Sequence, residues 1–170
     1  MSTSNTLYTE STALMKAHDW AAVLATLTEE ALERLDDWRL HWNRAWSQYQ
    51  LQEFEAALQR FLVALRYVKE PADRATCLTF AGISALSAKK IEASVNYLSQ
   101  SLILEDRTLT RKTLAWAHME AGDAAAAERV HQTGLKKRPA DRERLAAYGD
   151  FLLDQGRVEE AQELMNKINS

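Results

Sequence analysis

Gly122-Asp123-Ala124-Ala125-Ala126-Ala127 and Gly156-Arg157-Val158-Glu159-Glu160-Ala161 follow one pattern: a turn, an apolar or small residue, then small residues opening a run that suits a helix. The pattern occurs three more times upstream, as His18-Asp19-Trp20-Ala21-Ala22, Gln52-Glu53-Phe54-Glu55-Ala56-Ala57 and Lys89-Lys90-Ile91-Glu92-Ala93. The residue after the turn falls at positions 20, 54, 91, 124 and 158, so the intervals are 34, 37, 33 and 34. A period of that size sustained along a chain marks stacked structural repeats.

The segments around each turn give the unit its form. Helix-compatible residues flank the turn on both sides, and apolar residues recur at helical spacing, as in Leu58, Phe61, Leu62 and Leu65 or Val95, Leu98 and Leu102. Pro71 and Pro139 fall between units, where they stop a helix. Gly122 and Gly156 fall in the tight turn within units. Each unit is therefore an antiparallel helix pair, and five of them give about ten helices. The expected organisation is a single domain, 1–170, with repeats at 5–36, 37–71, 72–107, 108–140 and 141–169. Three extra residues around Val68-Lys69-Glu70-Pro71 either bend the stack or lengthen a loop.

Composition agrees with an all-helical fold. The 170 residues are 46% hydrophobic, enough for a core, and only 5 Gly and 2 Pro leave little turn chemistry for a sheet-rich fold. The net charge of −3 argues against a general nucleic-acid binder. Lys136, Lys137 and Arg138, just before Pro139, read as cations complementing a helix C-terminus. A single cysteine, Cys77, cannot form an internal disulfide, so a reducing compartment is the default. The segment Met1-Ser2-Thr3-Ser4-Asn5-Thr6 has no secretion-signal pattern, and no run is apolar enough to cross a membrane. The expectation is a cytoplasmic protein.

These residues resemble the tetratricopeptide repeat, which places a large residue, then Leu-Gly, then an aromatic on its first helix. Ala and an aromatic follow on the second helix, and a closing Pro ends the unit. The third unit has Leu78, Ala81-Gly82 and Ala85 at that spacing. The fifth has Leu145, Tyr148-Gly149, Leu152, Ala161 and Met165. The second has Ala45, Ala57 and Phe61; the fourth has Ala115, Ala127, His131 and Pro139. The resemblance covers residues 5 to 168. The first unit departs from it, with Ser11 and Val23 at small-residue places, as suits a terminal repeat. The resemblance implies a right-handed superhelical solenoid with a concave groove lined by first helices. Small residues such as Gly82, Ala115 and Gly149 bring helices close, and Phe61, Leu98 and Met165 fill the space between hairpins.

The resemblance also implies which side chains face the groove. Unit two supplies Trp42, Trp46, Tyr49 and Gln50; unit three Thr79, Ile83, Leu86 and Ser87; unit four Lys112, Trp116, Met119 and Glu120. Unit one supplies Tyr8, Thr12, Met15 and Lys16, and unit five Ala146, Asp150, Leu153 and Asp154. A groove holding Trp42, Trp46, Tyr49, Ile83, Leu86, Trp116 and Met119 is an apolar interaction surface. A shift of register by one residue in unit two instead buries Trp42 in the core. The clamp of Lys, Asn and Arg with which related adaptors hold a C-terminal carboxylate is absent, since Tyr8 and Thr12 occupy its first two places.

Catalytic chemistry is not indicated. His118 and His131 lie on opposite helices of one hairpin with Glu128 nearby, a pattern open to a metal site or to two packing histidines. Cys77 reads as a small core residue rather than a nucleophile, and no phosphate loop, His-Glu-x-x-His or paired Cys motif occurs. The expectation is a non-enzymatic protein-binding module without cofactor or metal: an adaptor or escort chaperone for a segment with apolar anchors. The alternatives are a homodimeric scaffold assembled through the aromatic surface and a bacterial secretion chaperone of the tetratricopeptide class.

Overall fold

The computed structural model describes residues 3–169. The described residues form eleven helices and no strand: α1 (Thr3–Lys16), α2 (Trp20–Thr26), α3 (Glu29–Leu32), α4 (Trp38–Gln50), α5 (Phe54–Tyr67), α6 (Pro71–Ser87), α7 (Ile91–Leu104), α8 (Thr108–Glu120), α9 (Ala124–Lys137), α10 (Arg142–Asp154) and α11 (Val158–Asn169). The chain divides into two compact units, Met1–Leu104 and Glu105–Ser170.

The periodic turn has one backbone cause. His18, Gln52, Lys89, Gly122 and Gly156 all adopt positive φ, between 58° and 80°. The residue after each returns its N–H to the carbonyl five positions back: Asp19 to Leu14, Glu53 to Gln48, Lys90 to Ala85, Asp123 to His118 and Arg157 to Leu152. This left-handed helix stop satisfies carbonyls that the helix leaves open. Asp19 and Asp123 then cap the following helix, their Oδ1 atoms accepting from the N–H of Ala22 and Ala126 at 3.0 and 2.8 Å.

Two departures from the five-hairpin expectation have visible causes. In the first unit the second helix is broken, so eleven helices stand where about ten follow from five hairpins. α2 stops at Leu27, and Thr28 starts α3 by accepting the Ala31 N–H at its hydroxyl. Arg44 of α4 donates to the carbonyls of Leu24 and Leu27, taking up acceptors that the break exposes. Glu29, the first residue of α3, pairs with Arg44 and Arg60, which tie it to α4 and α5. In the third unit the three extra residues lengthen a helix and not a loop. Pro71 opens α6 instead of closing α5, at the first helical position where its missing N–H costs nothing. α6 consequently runs 17 residues, against 13 for α4, α8 and α10.

Within Met1–Leu104, Phe61 and Leu98 are fully buried, and Gly82 lets α6 and α7 approach. A Cβ on Gly82 would lie 2.5 Å from Leu98 Cγ. Hydroxyls reinforce that contact: Ser94 donates to the Gly82 carbonyl at 2.8 Å and Ser101 to that of Ala75 at 2.9 Å. Within Glu105–Ser170, Gly149 gives Met165 the same close seat, and Ala115, Ala127, Leu145 and Leu152 form the core. Asp106 anchors this unit by accepting from Arg111 at 2.6 and 2.8 Å and from Arg144 at 2.9 Å. The Arg111 hydrogen bonds hold its carboxyl down to about 2 against the opposing effect of burial.

Candidate protein interface

α8 and α10 form the walls of a cleft of about 550 Å³ inside the Glu105–Ser170 unit. α8 contributes Lys112, Trp116 and Met119 at helical spacing, and α10 contributes Asp150 and Asp154 one turn apart. Trp116 is 60% exposed, which is exceptional for an indole, and its Nε1 donates to Glu120 Oε1 at 3.2 Å. All five residues stand where the repeat phase predicts groove positions. Ala146 and Leu153, the other two positions in unit five, do not line the cleft; Ala147, Phe151 and Gln155 do.

His131 of α9 forms part of the floor. It is 6% exposed and stacked on Tyr148 with ring centroids 5.6 Å apart and 9° between planes. Burial, with the nearby cations of Arg111 and Lys112, pushes its imidazole down to about 4, so the ring is neutral at neutral pH. Leu109, one turn before Lys112, continues the α8 wall. Sequence reasoning leaves His131 open between a metal ligand and a packing histidine, and passes over Leu109 and Phe151. Leu109 was accessible by continuing the α8 face back three residues from Lys112. Phe151 carried no such signal.

In the Met1–Leu104 unit, Trp42 and Trp46 stack with centroids 5.7 Å apart and 3° between planes. Phe80 of α6 meets both edge-on, at 5.8 and 5.1 Å. Tyr49 extends the row, 6.0 Å from Trp46, and its hydroxyl lies 3.4 Å from that of Ser87. The register with buried Ala45 at the small position holds. Trp42 and Trp46 are nonetheless both half-buried and packed on the core, so each is partly wall and partly core. The Trp42 Nε1 is buried and donates to no acceptor among the described residues.

Two predicted groove residues are not on a surface. Thr79 is buried, with its hydroxyl donating to the Ala75 carbonyl at 3.0 Å and lying 2.8 Å from that of Ser101; Leu86 is buried as well. Thr79 is held inward by α7, whose Ser101 hydroxyl meets it and also donates to the Ala75 carbonyl. Ile83 and Ser87 remain half-buried. In unit one, Tyr8 lies under the Arg39 guanidinium at 4.4 Å, Thr12 and Met15 are half-buried, and Lys16 is exposed.

The remaining polar residues have structural occupations. Glu128 accepts from Tyr148 Oη at 2.6 Å and pairs with Arg157 at 2.8 Å, which takes up the carboxylate that a metal beside His118 and His131 would need. No group of three metal-ligating side chains occurs among the described residues. Cys77 is buried, and burial pushes its thiol up to about 12, far from a reactive thiolate. No described helix is long and apolar enough to cross a membrane.

Tetratricopeptide-repeat family models match residues 8–73 and 118–170, together more than two thirds of the chain. The chain belongs to the tetratricopeptide repeat family. That family consists in general of protein-interaction modules, typically without catalysis. No curated protein matches the chain in sequence. Among solved structures it is similar to MamA from Desulfovibrio magneticus RS-1, with 15% identity, 98% of this chain and 94% of that chain covered, and a TM-score of 0.75. It is also similar to YrrB, described as a tetratricopeptide-repeat protein with an unusual peptide-binding site, with 16% identity, 95% and 82% covered, and a TM-score of 0.68. These likenesses establish the tetratricopeptide fold.

Proposed function

We propose that this protein is an adaptor or escort-type module that holds another polypeptide through apolar anchors. The observation that carries the reading is Trp116: a large indole, 60% exposed, over a cleft with apolar walls. A monomer that leaves such a surface open forgoes the ~1.5–3 kcal/mol that burial of a large apolar side chain supplies, and a partner recovers it. Lys112, Trp116 and Met119 grip the segment in one unit; Trp42, Trp46 and Tyr49 offer an aromatic face in the other, with half-buried Ile83 as a further apolar side chain. Repeat architectures use their first-helix faces in this way. The peptide-binding site described for YrrB supports the same reading.

The test is capture of partners from the native host by wild-type protein and by Trp116→Ala and Trp46→Ala, with circular dichroism to verify folding. The captured partner is then purified and its affinity measured against all three. A folded Trp116→Ala variant that binds the purified partner as tightly as wild type would sink the proposal. Sedimentation over a range of concentrations addresses the competing homodimer: a stable dimer whose tryptophan emission is shielded would replace the adaptor reading.

A further inference from the structure

The α8–α10 cleft has a charge pattern that the apolar-anchor reading leaves unexplained. Asp150 and Asp154 stand on the same face of α10, both exposed, and neither makes an ion pair among the described residues. Glu143 and Glu159 of this unit are also exposed and make no ion pair among the described residues; what sets Asp150 and Asp154 apart is that both line the cleft. A third carboxylate, Glu120, sits against the Trp116 indole. Lys112 is the cation among the residues lining the cleft. The floor adds a second signal: His131 is 6% exposed, faces the cleft and makes no hydrogen bond among the described residues.

We propose that this cleft selects a polypeptide segment bearing an arginine beside an aliphatic residue, a reading that rests on the adaptor function above. The guanidinium lies on the open face of Trp116, which the ring quadrupole favours, while Asp150 and Asp154 take its N–H groups in charge-assisted hydrogen bonds. The methylene stem of the arginine and the neighbouring aliphatic side chain cover Phe151, Met119 and Leu109. The neutral His131 ring supplies a hydrogen-bonding nitrogen at the base without repelling the cation. Lys112, one turn before Trp116 on the same α8 wall, disfavours a second basic residue at that end of the cleft, which gives the segment a direction. The cleft volume of about 550 Å³ lies within the ~300–1,000 Å³ typical of sites that enclose a ligand.

The experiment uses short fluorescein-labelled peptides of alternating leucine and arginine, leucine and glutamate, and leucine and serine, titrated against the full chain by anisotropy. The leucine–arginine peptide is expected to bind tightest and to weaken with added salt. The double variant Asp150→Asn/Asp154→Asn should weaken it about tenfold, the loss of roughly one charge-assisted hydrogen bond's net contribution. A charge-matched control, Glu143→Gln/Glu159→Gln, removes two exposed carboxylates from places that do not line the cleft and should leave binding unchanged. Equal affinity for the leucine–arginine and leucine–glutamate peptides would overturn the proposal, as would equal weakening by the two double variants. If binding is lost in Trp116→Ala but shows no charge preference, the arginine proposal fails and the adaptor reading stands. If none of the peptides binds, the arginine proposal fails, and the adaptor reading rests on the purified partner alone.

Discussion

Gly82→Ala tests whether the α6–α7 contact governs the first unit. By helix propensity alone the change should stabilise, since alanine exceeds glycine by ~1 kcal/mol in a helix interior. The structure opposes that gain. The new Cβ would lie 2.5 Å from Leu98 Cγ and 2.8 Å from its Cδ2, inside any permitted contact. Leu98 is fully buried and cannot swing away, and the Ser94 hydroxyl bonded to the Gly82 carbonyl holds the two helices together. A clash this close to a fully buried side chain puts the overpacking cost in the upper part of its range, about 2–3 kcal/mol, so after the ~1 kcal/mol propensity gain the net expectation is a loss of roughly 1–2 kcal/mol. Urea unfolding followed by tryptophan fluorescence reads the loss, because Trp20, Trp38, Trp42 and Trp46 all lie in that unit and a Trp116→Phe background silences the other. A double-mutant cycle sharpens the test. Leu98→Ala alone should cost ~2–5 kcal/mol, but the cost should shrink by ~1 kcal/mol or more in the Gly82→Ala background, where the removed atoms are the clashing ones. A Gly82→Ala protein as stable as wild type, or strict additivity with Leu98→Ala, would refute the reasoning.

The turns make the converse prediction. Gln52 has a φ of 64°, so Gln52→Gly should raise stability by ~0.5–1 kcal/mol, the left-handed penalty less the added chain entropy of glycine. Gly122→Ala, whose Cβ would meet nothing within 4 Å, should lower it by ~1 kcal/mol through φ alone; both are read by thermal denaturation. Asp106→Asn should cost ~3–5 kcal/mol, because the buried Arg111 loses its counter-charge and the buried Arg144 keeps only Asp141 at 3.5 Å, and urea unfolding followed by circular dichroism measures it. His131 titrates near 4 when folded and near 6.5 when unfolded, so the unfolded chain takes up its proton first. Stability is therefore complete above about pH 6.5 and declines as pH falls toward 4, by up to ~2–3 kcal/mol, with lowered His41 acting in the same direction. Urea midpoints at pH 7 and pH 5 should differ in wild type and differ less in His131→Gln, where His41 accounts for the remaining difference.

The legible part of this fold is the part that recurs. A left-handed helix stop every 33 to 37 residues leaves its mark even where histidine, glutamine or lysine replaces glycine, because the next residue must start a helix and the one before must end it. Small residues at Ala45, Gly82, Ala115 and Gly149 fix the rotational phase of each first helix, and phase alone places Lys112, Trp116, Met119, Asp150 and Asp154 around one cleft. Phase does not give depth. Thr79 and Leu86 have the same phase as Lys112 and Met119, yet both are buried, Thr79 with its hydroxyl against that of Ser101 on α7. How deep a helix sits depends on the sizes of residues facing it from another helix, and a periodicity read along one strand of sequence carries no record of that pairing.

The same distinction explains why the tryptophans divide into two kinds. Trp46 and Trp116 occupy equivalent positions after a small residue, but Trp46 has Phe80 and Trp42 to lean on, and Trp116 has Glu120. The first is held in place by aromatic neighbours; the second remains open to solvent. Substituting the two should therefore separate stability from binding. Trp46→Ala removes packed aromatic contacts and should destabilise by ~2–4 kcal/mol, whereas Trp116→Ala should change stability by no more than ~1 kcal/mol while abolishing the apolar face of its cleft. If the two variants unfold at the same urea concentration, the division between an aromatic wall and an open anchor is wrong, and Trp116 is a packing residue like the other.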